Sequence, residues 1–299
     1  MEKRERPSYE ISDENFSQRS EPPYCIYNVD RTNGIATITF NKPDKLNAAT
    51  LGDIQEIRDR TVEAEEDPDV KVIIYKGAGP CFSSGIDLEW VAHAYGTKSE
   101  RRISQRYRYL RLRPFLDRKG LIQTVLYCLK ATVAQVHGYC YGNAFQLACA
   151  CDIVVASDDA TFTNPAYKYI GASPEDMVLL FLTMGVKKTK EMMLTGRPLG
   201  AQEALECGLI NKVVPVNKLD EEVNKLTKEI IRQPYDAIVT GKANFEIALD
   251  IAGVGACEIV GQSQEAWQSN VQFRPDEFNL IKSLAEKGIK GAIKERGPL

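Results

Sequence analysis

Two stretches in which a strand, a glycine-containing loop and a helix follow one another constrain this chain most. In the longer stretch, 132–175, an apolar strand leads into a glycine turn at 138–142 and an apolar helix at 144–151. The other stretch places a small-residue loop at 81–86 between a β-branched strand and a helix that begins near Asp87. Because the first N–H groups of a helix have no intrahelical acceptor, each unit aims free donors at one point. Such donors can stabilise negative charge that develops on an oxygen atom.

The remainder of the chain up to residue 216 alternates between strand and helix patterns. Two β-rich runs flank the turn sequence DRTNG at 30–34, which predicts a hairpin. Thr50 precedes an apolar-periodic segment that ends near Asp67, which predicts a capped helix. Further strands are predicted at 70–75, 152–156 and 212–216, and further helices at 121–129, 177–184, 187–194 and 201–207.

The pattern changes near residue 217 and is helical from there to the end, with breaks at Pro234, 253–255, Pro275 and Gly288. We therefore expect three parts, which are a disordered N-terminal tail over residues 1–23, an α/β core over 24–216 and a helical region over 217–299.

Composition excludes several classes of function. A net charge of −3 gives no reason to expect nucleic acid as a partner. No run approaches the roughly 18 apolar residues of a membrane span, and the polar N-terminus lacks the apolar segment of a signal peptide. The eight cysteines form no CxxC pair, so we expect reduced thiols in a cytoplasmic protein. With two histidines and no ligand spacing, we expect no metal site.

A basic stretch at 94–120 leaves two interpretations open. Between Lys98 and Lys119 there are nine Lys or Arg residues and two acidic ones. The stretch is either a solvated, partly helical insertion or a basic rim that attracts a phosphorylated ligand.

Five motifs, in order, resemble those of the crotonase, or enoyl-CoA hydratase/isomerase, superfamily. They are NKPDKLNA at 41–48, FSSGIDL at 82–88, VHGYCYG at 136–142, ACDI at 150–153 and LTGR at 194–197 followed by GLI at 208–210. Each motif alone is weak, but their order and spacing together are specific, and the resemblance covers roughly residues 24–296.

This resemblance implies an α/β fold, a crotonase-type spiral of ββα units with a C-terminal helical trimerisation region. It implies an acyl-CoA thioester as the substrate, no separate cofactor, and a homotrimer or a dimer of trimers. It also implies an oxyanion hole made by two backbone N–H groups, which fall at Ile86 and Asn143. The family usually has glycine at the second position, so the Asn143 side chain is expected to narrow the pocket.

The resemblance further implies that CoA is contacted by the two loops before the helices. The residues in question are Lys45, Leu46, Ala48, Ser84 and Ile86, largely through their backbone, with Asn143 and Gln146 lining the acyl end.

The catalytic acids of the family's hydratases are missing from their usual positions. Those enzymes use two glutamates, and the matching positions here hold Gln146 and Ala166. Glutamine can position a water molecule but cannot exchange a proton at neutral pH. No glutamate occurs anywhere between Gly138 and Tyr169, so a shifted alignment does not restore one.

Glu175 is the nearest remaining acid that fits the pattern. Some relatives, including dienoyl-CoA isomerases and 4-chlorobenzoyl-CoA dehalogenases, carry a functional aspartate at about this place. The competing interpretation is structural, with Ser173 as the N-cap of a helix and Glu175 in its first turn, complementing the helix dipole. We therefore expect either an acyl-CoA hydratase, isomerase or hydrolase with Glu175 as acid/base, or a catalytically silent family member that binds acyl-CoA or a partner.

Overall fold

The computed structural model describes residues 20–94, 120–166, 177–257, 261 and 273–297 of the chain. Within these ranges the strands are β1 (Cys25–Asp30), β2 (Ile35–Phe40), β3 (Val72–Gly77), β4 (Ala131–Val136), β5 (Tyr139–Tyr141), β6 (Ile153–Ser157), β7 (Thr161–Thr163), β8 (Leu199–Gly200) and β9 (Lys212–Val214). The α-helices are α1 (Leu51–Glu66), α2 (Leu88–Ala94), α3 (Leu121–Leu126), α4 (Asn143–Ala150), α5 (Met177–Thr195), α6 (Ala201–Glu206), α7 (Leu219–Ile231), α8 (Tyr235–Ile251) and α9 (Leu280–Arg296).

Six strands form the main sheet in the order β1-β2-β3-β4-β6-β9. The β1–β2 pair is the predicted antiparallel hairpin, and every later neighbour pairs in parallel. Parallel strands need a crossover connection, which the intervening helices supply. The β-branched strands β3 and β4 are almost completely buried, as parallel strands covered on both faces should be.

A second sheet of three strands, β5-β7-β8, corrects one expectation. The segment between Gly138 and Gly142 was expected to be a tight turn, but it forms strand β5, which pairs in parallel with β7. Both flanking glycines have positive φ, at +57° and +56°, so the chain bends sharply at each end of a short extended segment. Strands β7 and β8 are too short to produce the alternation that sequence patterns detect.

The predicted helices are confirmed with small shifts of their ends. Thr50 caps α1 through a reciprocal capping box with Asp53. Helix α3 ends at Leu126, before the expected residue 129. The two segments expected at 177–184 and 187–194 lie within α5 and meet at Gly185, whose φ of +77° interrupts the helix.

Buried charged side chains attach the C-terminal helix α8 to the core. Lys130 is almost completely buried and donates to the carbonyl oxygens of Asp67 and Val70, at 2.8 and 2.7 Å, and to the hydroxyl of Tyr235. Lys242 of α8 pairs with Asp152, which also accepts from the backbone N–H of Thr132. Each charge therefore has partners that offset its desolvation.

All eight cysteines are free thiols, as expected from the sequence. Burial raises the pKa of Cys128 to about 12, and it also raises the pKa of Cys140 and of Cys151. These thiols are therefore protonated at neutral pH and are not nucleophiles.

In the ranges that the structure describes, no helix is both long and apolar enough to cross a membrane.

Candidate active site

The two glycine-containing loops lie side by side because the chain pairs them before each helix begins. Ser83 bridges to Cys140 in parallel, donating its N–H to Tyr139 O at 2.8 Å and accepting from Tyr141 N at 3.1 Å. Two residues further along each segment stand Gly85 and Gly142. The sheet geometry therefore brings the ends of both loops to one place.

The space beside Gly142 is open. A Cβ atom built on Gly142 would meet only the Cα of Gly85, at 3.8 Å. In contrast, a Cβ on Gly85 would lie 2.7 Å from the carbonyl oxygen of Tyr141. Gly85 is therefore required by close packing and by its φ of +97°, whereas the absent side chain of Gly142 leaves room for a ligand atom.

The N–H of Ile86 points away from Ala49, which lies on the loop before α1. Ala49 donates to Gly85 O at 2.9 Å and accepts from Asp87 N at 2.8 Å. Because N–H groups alternate in direction along an extended segment, the N–H of Ile86 points to the opposite side from Ala49. Gly85 packs against Gly142 near this point, so the second loop is the neighbour of Ile86 here.

Asn143 is the first residue of α4, where a backbone N–H has no acceptor within the helix. Within residues 20–94 and 120–166, no acceptor is recorded for the N–H of Ile86 or for that of Asn143. Sequence reasoning selected these two residues, and the structure places them on adjacent segments beside the open space. This geometry suits an oxygen atom that gains negative charge.

Asn47, which sequence analysis did not single out, holds the first loop in place. Its side-chain Nδ2 donates to the carbonyl oxygens of Ala78, Cys81 and Phe82 at 2.9, 2.9 and 3.2 Å. Its Oδ1 accepts from the N–H of Lys42 at 2.9 Å. Asn47 also has a φ of +54°, a conformation that asparagine tolerates better than most residues. That preference for left-handed turns was the available sequence signal.

Ser83 connects Asn47 to the first glycine. The Ser83 hydroxyl donates to Asn47 O at 2.6 Å and accepts from Gly85 N at 3.1 Å. Ser83 is almost completely buried, so this link is not weakened by competition with water. Asn47 and Ser83 therefore act as positioning residues for the segment that carries Ile86.

The residues expected to contact CoA lie together along one edge of the site. Ser84 N donates to Leu46 O at 2.9 Å, and Ala48 N donates to Lys45 O at 3.0 Å. Leu46 is exposed, and Lys45 is exposed with its Nζ 3.1 Å from the carboxylate of Glu89. That hydrogen bond raises the pKa of Lys45, which keeps the side chain positively charged.

Two carboxylates on the described residues near the loops have structural partners. Asp87 accepts from Glu89 N at 2.8 Å at the start of α2 and lies 3.7 Å from Lys42 Nζ. Asp152 is occupied by Thr132 and Lys242. Each of these two acids is therefore held by structural partners.

The remaining predicted residues fall in different parts of the site. Gln146 lies one turn after Asn143 on α4, on the same helix face, with both residues partly exposed. Ala166 follows Asn164, whose Oδ1 accepts from the Ala166 N–H at 3.3 Å. Glu175 lies outside the described residues, as does the basic stretch from 95 to 119.

Two polar side-chain atoms beside Gly142 are buried without a hydrogen-bond partner among the described residues. They are Asn143 Oδ1 and Thr163 Oγ1. Tyr141, one residue before Gly142, donates or accepts a 3.1 Å hydrogen bond with Thr161. Burial raises the pKa of Tyr141, so its hydroxyl stays protonated at neutral pH.

The part of the chain that the structure describes contains no cluster of three or more His, Cys, Asp or Glu side chains suited to a metal ion. What the described residues do offer is a pair of main-chain donors over an unfilled space, with an exposed, partly basic loop beside it.

Comparison with known proteins places these features in context. The model of the family described as "Enoyl-CoA hydratase/isomerase" matches residues 30–288. A similar curated protein is enoyl-CoA hydratase domain-containing protein 3, mitochondrial, of Rattus norvegicus, 34% identical over 71% of this chain and 67% of that protein. Another is 4-chlorobenzoyl coenzyme A dehalogenase-2 of an Arthrobacter species, 32% identical over 69% of this chain and 72% of that protein.

A solved structure gives the same result for the fold. The enoyl-CoA hydratase/isomerase of Xanthobacter autotrophicus Py2 superimposes with a TM-score of 0.78 at 29% identity, covering 93% of this chain and 98% of that one.

Proposed function

Because the chain belongs to the enoyl-CoA hydratase/isomerase family, we propose that it transforms an acyl-CoA thioester through an oxyanion held by two backbone N–H groups. The donors are those of Ile86 and Asn143. The observation that carries the proposal is their placement on paired segments beside the open space at Gly142. The reaction is hydration, isomerisation or hydrolysis of an enoyl-, dienoyl- or cyclic acyl-CoA, in which a thioester enolate or a tetrahedral oxyanion forms.

In this mechanism the residues of the chain divide the task. The N–H groups hold the thioester oxygen as it gains charge, and one such donor contributes about 3–4 kcal/mol in other enzymes. Lys45, Leu46, Ala48 and Ser84 bind the CoA portion, for which Lys45 supplies positive charge. CoA arrives as part of the substrate, so the mechanism uses no separate cofactor.

Asn143→Pro tests the oxyanion assignment. Proline is accepted at the first position of a helix but carries no N–H, so the variant removes the donor and keeps α4. Asn143→Ala is the matched control, because it loses the side chain and retains the N–H. We expect kcat for Asn143→Pro to be roughly 100-fold or more below that of Asn143→Ala. Equal rates in two folded variants would refute the oxyanion role.

Glu175 is proposed as the acid/base, supported by the engagement of Asp87 and Asp152 elsewhere and by glutamine and alanine at 146 and 166. The printed name of the Arthrobacter relative, a dehalogenase, supports a family chemistry broader than hydration. Product analysis by mass spectrometry over linear and cyclic acyl-CoAs should find turnover in the wild type. We expect none in Glu175→Gln, with acyl-CoA binding retained. Unchanged turnover in that variant would remove Glu175 from the mechanism.

A catalytically silent acyl-CoA-binding protein is the alternative, and the residues at Gln146 and Ala166 favour it. It predicts binding without turnover by the wild type across the whole panel. The main proposal predicts turnover of at least one compound.

Assembly as a homotrimer, or a dimer of trimers, is also proposed. Its support is the exposure of large apolar side chains on α8, where Phe245, Ile247 and Ile251 are 62%, 59% and 83% exposed. A spiral arrangement of ββα units and a cytoplasmic location complete the proposal.

A further inference from the structure

Gly142 is flanked by two buried oxygen atoms that the described residues leave unpaired. Asn143 follows Gly142 directly, and Gly142 donates its N–H to Thr163 O at 3.0 Å. Thr163 is completely buried with Oγ1 unpartnered, and Asn143 is partly exposed with Oδ1 buried and unpartnered. Asn143 thus belongs to the proposed thioester site, and Thr163 is joined to that site through its carbonyl bond to Gly142.

An unpaired buried polar atom destabilises a folded protein, so two at one place call for an explanation. An unpaired threonine hydroxyl is not a general property of strand β7. Thr161, two residues earlier on β7, has its hydroxyl bonded to Tyr141 Oη at 3.1 Å. The unpaired hydroxyl therefore occurs at the end of β7 that meets the glycine loop.

The chemistry of the two atoms restricts what can bind there. A carboxamide oxygen only accepts hydrogen bonds, and a threonine hydroxyl both donates and accepts. An O–H group satisfies both atoms, since its hydrogen can go to Oδ1 while its oxygen accepts from Oγ1. An alkyl chain would leave both oxygens unpaired.

We propose that Asn143 Oδ1 and Thr163 Oγ1 bind an O–H group next to the thioester, either a reacting water molecule or a hydroxyl carried by the acyl chain. This inference rests on the proposed function and deepens it, because it selects hydration and dehydration over a simple shift of a double bond. The two side chains position the O–H group and exchange no proton with it.

The atoms balance as follows in the direction of hydration. The water oxygen forms a bond to the β-carbon of an α,β-unsaturated thioester, and the π electrons move towards the thioester oxygen held by the two N–H groups. The water gives up one proton and the α-carbon gains one, by way of the enzyme's acid–base group. The π bond of the alkene and one O–H bond of water are thus replaced by one C–O and one C–H bond, and the C–C single bond remains.

Calorimetric titration of the full-length protein with matched ligands tests the inference. The pairs are butanoyl-CoA with 3-hydroxybutanoyl-CoA, and cyclohexanecarbonyl-CoA with 2-hydroxycyclohexanecarbonyl-CoA. Each ligand is titrated into the wild type, Asn143→Ala and Thr163→Val. Thr161→Val serves as the control, since it removes a hydroxyl from the same strand that already has a partner. In parallel, crotonyl-CoA and cyclohexenecarbonyl-CoA are incubated with each protein in ¹⁸O-labelled water.

We expect the wild type to bind one hydroxylated ligand about tenfold more tightly than its partner, or to incorporate ¹⁸O. Preference without incorporation identifies an acyl hydroxyl as the bound group, and incorporation identifies water. In either case Asn143→Ala and Thr163→Val should reduce the binding preference or the ¹⁸O incorporation about tenfold, and Thr161→Val should leave it unchanged.

Three results would overturn the inference. If the wild type binds acyl-CoA but shows neither effect, or if both variants retain the effect in full, the O–H site is wrong and the proposed function stands. If the wild type binds none of the compounds, the proposed function fails and the inference fails with it.

Discussion

Replacing Asn47 by alanine should release the loop that carries Ile86. The side chain makes its hydrogen bonds entirely to backbone groups, donating to three carbonyl oxygens and accepting from Lys42 N. Asn47 is completely buried, so water cannot replace the lost partners without local opening. Asn47→Ala therefore removes the side-chain hydrogen bonds that join the loop at 42–47 to the segment at 78–82.

The magnitude follows from this geometry. The two hydrogens of Nδ2 are shared among three acceptors, and Oδ1 accepts one further hydrogen bond. We therefore count two donated bonds and one accepted bond, at about 1 kcal/mol each. Alanine at the observed φ of +54° adds about 1 kcal/mol of backbone strain. We expect Asn47→Ala to lower the free energy of unfolding by about 4 kcal/mol. Asn47→Gly should be about 1 kcal/mol less destabilised, because glycine is unstrained at positive φ.

Urea unfolding at a single protein concentration measures both changes, with turnover assayed on the same samples. Asn33→Ala is the matched control, since Asn33 bonds to Asp30 in an exposed turn and should cost under about 1 kcal/mol. If Asn47→Ala unfolded at the same urea midpoint as Asn33→Ala, the positioning role of Asn47 would be refuted. An order in which Asn47→Gly was less stable than Asn47→Ala would refute the strain argument.

Three further predictions concern other parts of the molecule. Gly85→Ala should lower the melting temperature and abolish turnover, because its methyl group would lie 2.7 Å from Tyr141 O; wild-type melting would contradict this. The pKa of Glu203 is lowered to about 2, chiefly by its hydrogen bonds to Arg197, so its contribution to stability is present above about pH 4.5 and lost as the pH falls towards 2. Glu203→Gln should therefore lower the free energy of unfolding by about 1 kcal/mol at pH 7, after allowance for solvent exposure, and by progressively less below pH 4. A difference in urea unfolding that did not depend on pH would exclude the Glu203–Arg197 ion pair as its cause. Phe245→Glu should convert the proposed trimer into smaller species by light scattering, and a monomeric wild type would contradict the assembly.

The sequence predicted the hairpin, the α/β core and most helix positions because these elements have strong local signals. The capping box at Thr50 and the β-branched strand β3 are examples. Strand β5 was missed because three residues between two glycines resemble a turn, and its identity depends on pairing with β7. Such pairing joins distant segments and leaves no local pattern.

The candidate site was predictable only in part for a related reason. The resemblance placed Ile86 and Asn143, since the motifs fix which residues follow each glycine. It could not reveal Asn47 or Ser83 as positioning residues, because their roles depend on carbonyl groups contributed by segments more than thirty residues away. Nor could it reveal the unpaired oxygen of Thr163, which is defined by the three-dimensional neighbours of a side chain.

The pairing of the two glycine loops has a consequence for how this scaffold could acquire new reactions. Both proposed donors are main-chain groups, and the ladder around Ser83 and Cys140 that aligns them is also main chain. Under the proposed function, a substitution at Gln146 or Ala166 would change the side chain near the acyl group without moving either donor. Thioester activation is thereby separated from the choice of proton carrier, so the two can vary independently.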